Sequence, residues 1–546
     1  MVRSLGRLGV LALAGIASLS WASTAAGDSG AGVQNVAIIG AGAAGSSAAY
    51  HLRQFADEEG VSINITIFES NKRAGGRSLT VDAFDDPLQP VELGASIFIR
   101  ANAILYDAVS EFGLNVIGTR DVEGNLVVWD GESFRFEQSD NSWWSFVKLF
   151  WKYGLAPYKT KKLVDSTVAR FLKIYDAPHF PFKSLTQAAI DLDLVKLTGV
   201  TGDQFYEDSG IASLFAQDII QAATRVNYAT NLAHIHGLEA AVSMAPEGAM
   251  QVWGGNWLIF ANMVKASSAG FLPKVTVTSL QREKSATTGD GASKFIISTK
   301  KTRSSRPGEA YPITFDKIVV AAPWQYAGIE APEDLIQPAI DEIPYVQLHV
   351  TLFTSPLKLS PGFFNLTPES KAPVTVLTTL HADDKAEPGS GAAGKAGVFS
   401  ISTLQIVLNP KTDQEEYLYK IFSPKVLDVS FLSRLLGVDI PDTFTGAVNA
   451  DNFEPISWYY PHVFNSYPIE FPRVTFQDPV LGGGLYYTSG IESFISTMET
   501  SALMGKNVAK LIVDELAAPK APQEAKHTTT EPGSPRFDAA PKADEL

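Results

Sequence analysis

An α/β fold, in which a Rossmann-type dinucleotide-binding domain is interleaved with a second α+β domain, follows from three features of this 546-residue sequence. A short apolar run, Asn35–Ile39, stops at a glycine and reads as a buried parallel strand. A helix rich in small residues, Ala43–Phe55, comes next, and a second strand, Ile63–Phe68, ends at the acidic Glu69. Together they form one βαβ unit, and its turn carries the glycine pattern Gly40-Ala41-Gly42-Ala43-Ala44-Gly45.

Each position in that turn has a physical reason. Gly40 permits the tight turn, Gly42 lets a pyrophosphate approach the backbone, and Gly45 lets helix and strand pack closely. With Ala44 between them, these residues open a helix whose free N–H groups offer partial positive charge to a diphosphate. Glu69 stands 24 residues after Gly45, where a carboxylate accepts hydrogen bonds from ribose hydroxyls and repels a 2′-phosphate. Six residues further, Gly75-Gly76-Arg77 allows a second close backbone approach to the same diphosphate, with a guanidinium above it. The turn Gly94-Ala95-Ser96 follows in Glu92-Leu93-Gly94-Ala95-Ser96.

Composition sets the outer limits. The chain is too long for one ordinary core, and 45% hydrophobic content with 31 Phe, 17 Tyr and 9 Trp excludes a mostly disordered protein. A net charge of −15 argues against nucleic acid as a partner. With no cysteine, the chain cannot hold a disulfide, a Cys-ligated metal, a Cys nucleophile or a cysteine-attached prosthetic group. No metal site is expected.

Both ends read as addresses. Arg3 and Arg7, the apolar run Val10–Leu19 and the small residues Ala22–Ala26 make 1–26 a secretory signal, and its removal takes the charge from −15 to −17. From 517 the chain becomes a Pro/Ala/Lys/Glu/Thr tract expected to be disordered. It ends in Ala543-Asp544-Glu545-Leu546, either a retrieval signal read by a receptor or an accidental acidic end. The secretory pathway, with the endoplasmic reticulum lumen or the lysosome or vacuole as destination, is the expected location. Two glycosylation sequons begin at Asn64 and Asn365.

Between the ends, 34–100 reads as the first part of the dinucleotide-binding domain and 101–260 as a mainly helical segment. The binding domain resumes over 261–335, a β-rich region covers 336–475, and 476–516 closes the binding domain. Helices are expected over 142–153, 163–175 and 210–223, strands over 274–280, 294–299 and 318–322, and a surface loop over 382–396. The last strand, Leu485–Tyr487, leads into a long helix, Ile491–Leu516.

The progression from Glu69 through Gly75-Gly76-Arg77 to Glu92–Ser96 resembles the amine-oxidase-like FAD superfamily, which implies noncovalent FAD. By that resemblance Gly490-Ile491-Glu492 and Thr497-Met498 form the closing FAD motif, with a helix N-terminus at the flavin's pyrimidine edge, and Val277 contacts adenine through its backbone. More specific patches resemble one family, prenylcysteine oxidase (prenylcysteine lyase). They are Thr224-Arg225-Val226-Asn227-Tyr228, Gly254-Gly255-Asn256, His349–Phe353, Trp458-Tyr459-Tyr460-Pro461-His462 and Leu485-Tyr486-Tyr487. One departure stands out: Ser96-Ile97-Phe98-Ile99-Arg100 lacks the histidine that follows this turn in the family.

The resemblance implies a thioether oxidase acting on S-farnesyl- or S-geranylgeranyl-cysteine. Hydride passes from C1 to flavin N5, water adds, and prenyl aldehyde, cysteine and, with oxygen as acceptor, hydrogen peroxide result. Such a substrate calls for an apolar tunnel with polar groups at its mouth. Arg225 reads either as the receiver of the cysteinyl carboxylate or as a structural ion pair, and His462 either positions substrate and water or is a structural histidine. Trp143, Trp144, Phe146, Phe150 and Trp151 read as core or as a membrane-resting face. An FAD amine oxidase, a polyene- or porphyrin-type oxidoreductase, and a noncatalytic flavin- and lipid-binding protein stay open as alternatives on this scaffold.

Overall fold

The computed structural model describes residues 32–118, 122, 124–138, 149–245, 248–283, 294–441 and 455–518. The signal segment, the final tract from 519 with its Ala-Asp-Glu-Leu end, and 142–148 of one expected helix lie outside them.

The expected βαβ unit forms the centre of a six-stranded sheet, ordered Val480–Gly482, Leu485–Tyr487, Lys317–Val320, Gln34–Ile39, Ile63–Glu69, Gly270–Pro273. The inner strands pair in parallel, Ile38 standing opposite both Val319 and Ile67. Because both faces are covered, the first strand is a continuous apolar run rather than an alternating one. Val36 and Ile38 pack on the helical side, while Ala37 and Ile39 pack against a three-stranded sheet built from Val275–Arg282, Phe295–Lys301 and Glu309–Ala310.

On the helical side, Ala43–Glu58 lies against the closing helix Met498–Ala517. Small residues bring the two together: a methyl on Gly505 would stand 2.1 Å from the Ala44 carbonyl oxygen. The closing helix starts seven residues later than the expected Ile491. Ser489–Ser493 is a separate 3-10 turn, and Thr497 accepts from the Thr500 N–H in a reciprocal capping box that fixes the start at Met498.

The second half is a seven-stranded sheet in the order Trp458–Pro468, Tyr345–Ser355, Gln414–Ser423, Ser400–Asn409, Thr375–Thr378, Leu126–Trp129, Phe134–Gln138. Its last two strands come from 101–260, so that segment is not helical throughout. Asp130-Gly131, with Gly131 at φ +99°, turns between them, a hairpin signal flanked by Leu-Val-Val-Trp and Phe-Arg-Phe. The expected helix at 163–175 begins earlier, at Ala156, and gives way to a 3-10 turn after Phe171. The expected 210–223 helix runs over Ser213–Tyr228, with a π-helical stretch at Ala216–Ile220. Nor is 382–396 simply a surface loop, since Ala392, Ala393 and Ala396 are buried.

Candidate functional site: a dinucleotide cradle beside an apolar cavity

The first glycine turn is held by backbone. Gly40 sits at φ +101° with its N–H on the Phe68 carbonyl, and any side chain there would meet the Ala321 carbonyl oxygen at 2.7 Å. A methyl on Gly45 would stand 1.9 Å from the Gly40 oxygen. The helix that follows is capped at Gly42 without a side-chain hydrogen bond, leaving its N-terminus bare.

The second glycine turn abuts the first. The Gly75 N–H donates to the Ala41 carbonyl at 2.8 Å, and a Cβ on Gly76 would fall 3.0 Å from the Gly42 Cα. Two side-chain-free turns and an uncapped helix thus make one concave backbone surface of the kind a diphosphate needs. Glu69, buried at the strand end, accepts from the Ala41 N–H at 2.8 Å and the Asn71 N–H at 2.7 Å. It braces the turn, and a carboxylate has about four acceptor positions, so capacity is left for ribose hydroxyls. Val277 is buried in the same cluster as Ile39 and Phe68, beside the strand ends that carry Gly40 and Glu69.

Arg77 is braced by protein partners. Its guanidinium meets Glu492 at 2.7 Å and the Ser466 carbonyl at 2.6 Å. Burial would lower its pKa, but the adjacent Glu492 carboxylate outweighs this and raises it. Tyr345 also donates to Glu492. Gly490 can carry no side chain, since a Cβ would meet the Gln477 carbonyl oxygen at 2.5 Å. Among the described residues the buried hydroxyl of Ser466 has no hydrogen-bond partner, a polar atom left for a bound group.

The Gly94-Ala95-Ser96 turn is pressed on Arg77: a Cβ on Gly94 would stand 2.0 Å from the Arg77 carbonyl oxygen and 3.7 Å from the Phe464 ring. Beneath it is a buried pair that sequence reasoning missed. Lys420 Nζ donates to the Glu92 carbonyl at 2.8 Å and to Ser96 Oγ at 2.9 Å. Burial lifts the Glu92 carboxyl to about 7 and lowers the Lys420 ammonium to about 8, each moderated by the other's charge. His462 lies on the strand face shared with Tyr460 and Phe464, its ring 5.1 Å from that of Phe464. Burial lowers its pKa, favouring the neutral ring.

Arg225 is not a substrate residue. Its side chain is completely buried, and its fork donates to Thr378 Oγ1, Asn231 Oδ1 and the carbonyls of Ala392, Ala393 and Val398. Among the described residues no carboxylate hydrogen-bonds to it, Asp384 acting only at longer range, so no direct ion pair forms; the arginine pins the 382–396 loop to the helix.

From the Gly94–Ser96 turn an apolar cavity of about 160 Å³ extends into the helical region, lined in part by Ile97, Phe98, Leu105, Phe171, Tyr228 and Met498. Ser78, beside the second glycine turn, donates to the Met498 sulfur at 2.9 Å, tying cavity wall to cradle. Two acids buried near this wall hold backbone. Glu499 accepts from the Ile104 and Leu105 N–H groups and the Tyr175 hydroxyl, and burial raises it to about 7. Glu239 accepts from the Ser496 N–H and faces the Tyr228 hydroxyl; burial raises it to about 8.

These acids predict a pH effect. A carboxyl whose pKa is raised on folding binds its proton more tightly in the native state, so its stability contribution falls as pH rises from about 4.5 towards 8. The buried His236 and His51, lowered to about 3 and 4, oppose this only below their unfolded value of 6.5. Thermal melting is therefore expected to occur at lower temperature at pH 8 than at pH 6.5. Glu239→Gln should flatten the decline; a variant with the wild-type slope would show that Glu239 ionises normally.

A glycine-lined dinucleotide cradle on a parallel sheet, with a β-rich second half and an apolar cavity between the closing helix and the helical region, defines the class of FAD-dependent oxidoreductase folds. A solved structure of cyclohexylamine oxidase from Brevibacterium oxydans shares this fold, with a TM-score of 0.53 at 17% identity over 89% of this chain and 100% of that one. The profile of the NAD(P)-binding Rossmann-like domain matches residues 38–131, and that of the prenylcysteine lyase family matches 136–523. The chain belongs to the prenylcysteine lyase family. Among its relatives are farnesylcysteine lyase of Arabidopsis thaliana, 28% identical over 89% of this chain and 90% of that protein, and prenylcysteine oxidase 1 of Bos taurus, 28% identical over 90% and 91%.

Proposed function

We propose that this protein is an FAD-dependent thioether oxidase that cleaves S-farnesyl- or S-geranylgeranyl-L-cysteine to prenyl aldehyde, cysteine and hydrogen peroxide, with oxygen as acceptor. The observation that carries this reading is the apolar cavity joined to the cradle through Ser78 and Met498; the names of the relatives support the substrate class. Bound FAD supplies the two-electron acceptor for hydride lost from the carbon between sulfur and the allylic double bond.

The protein's part is placement and charge. The bare helix N-terminus and the two glycine turns hold the diphosphate, and the Arg77–Glu492 pair holds the junction between the two halves. Ile97, Phe98, Phe171 and Leu105 orient a prenyl chain and keep bulk water away. To His462, favoured neutral by burial and set beside Phe464 near the Gly94 turn, we assign the positioning of substrate or water. Entry into the secretory pathway through 1–26, with the endoplasmic reticulum lumen or the lysosome or vacuole as destination, is part of the same proposal, as is recognition of the Ala-Asp-Glu-Leu end by a retrieval receptor.

Anaerobic addition of S-farnesylcysteine to the yellow protein tests the reading: flavin colour should bleach and return with oxygen as peroxide appears. Bleaching by an amine but by no prenylcysteine would move the assignment to an amine oxidase, and lipid bound without turnover would make it a carrier.

A further inference from the structure

Four large apolar side chains stand in solvent within nine residues: Phe150 is 52% exposed, Trp151 84%, Leu155 59% and Tyr158 70%. They are not a misplaced core. The helix Ala156–Phe171 already buries its own stripe, Ala156, Thr160, Val164 and Thr167, and the Gly154 turn (φ +59°) presents the aromatic side chains outward. Beside them stand Lys159 and Lys162; of the neighbouring lysines, Lys152 is paired with Asp218 at 2.9 Å and Lys161 with Asp165 at 3.6 Å. With those two pairs discounted, Lys159 and Lys162 still leave a local positive charge in a chain of −15.

We infer that this segment is a docking surface for the interface of an anionic lipid bilayer. Tryptophan and tyrosine with neighbouring lysines suit the headgroup boundary, where ring bodies sink and ammonium groups meet lipid charge. A second copy is a poor occupant, because Lys159 and Lys162 would oppose their own copies across the contact. One helix links the surface to the cavity: Val168 and Phe171, at its far end and about 20 Å from Tyr158 at 1.5 Å per residue, line the cavity. A prenyl chain leaving the bilayer would follow this helix inward; that last link rests on the proposed function, whereas the docking itself does not. Of the aromatic residues singled out in the sequence, Phe150 and Trp151 form the patch, and Trp143, Trp144 and Phe146 lie outside the described residues.

Flotation of the FAD-loaded full chain with phosphatidylcholine vesicles, with and without phosphatidylserine, tests this. Binding should rise with phosphatidylserine and fall with salt. Trp151→Ser with Tyr158→Ser should weaken it at least tenfold on the anionic vesicles, and Lys159→Glu with Lys162→Glu should abolish the phosphatidylserine dependence. Neither pair should alter flavin content or anaerobic bleaching by a soluble prenylcysteine, so loss of bleaching in the wild type would fail the proposed function and leave this inference standing. Absence of wild-type binding to every vesicle would overturn it. So would a concentration-dependent dimer that the Trp151 and Tyr158 changes disperse.

Discussion

Arg225→Ala is expected to cost the native state several kcal/mol, on the order of 3–5, and to sharply reduce soluble yield. The change removes the donor held by Asn231 Oδ1 and the Ala393 carbonyl in a fully buried site, takes one of two donors from the Ala392 and Val398 carbonyls, and loosens Ala392 and Ala393 from the helix Gln221–Tyr228. Arg225→Lys should recover only part of the loss, because an ammonium cannot reproduce the planar fork that reaches all these acceptors. Thermal melting and the KM of whatever enzyme folds give opposite signatures for the two readings of this residue. A structural arginine lowers melting temperature with KM unchanged. A fold of wild-type stability with a KM raised only for substrates bearing a free carboxylate would restore the substrate role.

The second large effect is expected at Gly45→Ala. Its methyl would be forced to 1.9 Å from the Gly40 oxygen, a backbone atom that cannot move without opening the first glycine turn. Overpacking of this kind costs about 1–3 kcal/mol in ordinary cores, and here the displaced atoms belong to the diphosphate cradle. The expected result is folded but largely colourless protein, read as flavin per chain after gel filtration. Gly60→Ala, with no atom near its Cβ but a positive φ of +67°, serves as the control that strains backbone without touching the cradle. Equal flavin content in the two variants would remove the cradle from its assigned place.

What the sequence disclosed was short-range. The βαβ unit and both glycine turns lie within 34–77, where strand, helix and turn residues specify one another locally. The capping box at Thr497 was equally local, and the expected helix start at Ile491 missed it because an apolar run looks the same before and after a cap. Contacts between distant segments were hidden. Arg225 meets Thr378 across 153 residues, so its charge suggested a ligand where tertiary packing supplied acceptors. Lys420 reaches Glu92 across 328 residues, and within its strand it looks like an ordinary outward-facing lysine. The Gly505–Ala44 contact likewise appears only when the two helices are laid together. The missed hairpin Leu126–Gln138 is different: Asp130-Gly131 was a legible signal, lost among helical neighbours.

The way the six-stranded sheet is assembled bears on the protein's birth. Gln34–Ile39 emerges early, yet its neighbour Lys317–Val320 and the outer Leu485–Tyr487 are synthesised 283 and 451 residues later, counting from Gln34. At roughly 5–20 residues per second, the nascent chain carries an unpaired apolar edge for about 20–90 s before its last strand arrives. Such an edge invites pairing with other chains. Biogenesis should accordingly lean on holdase chaperones, and a nonsense mutation anywhere before Leu485 should leave aggregating polypeptide rather than a smaller working enzyme.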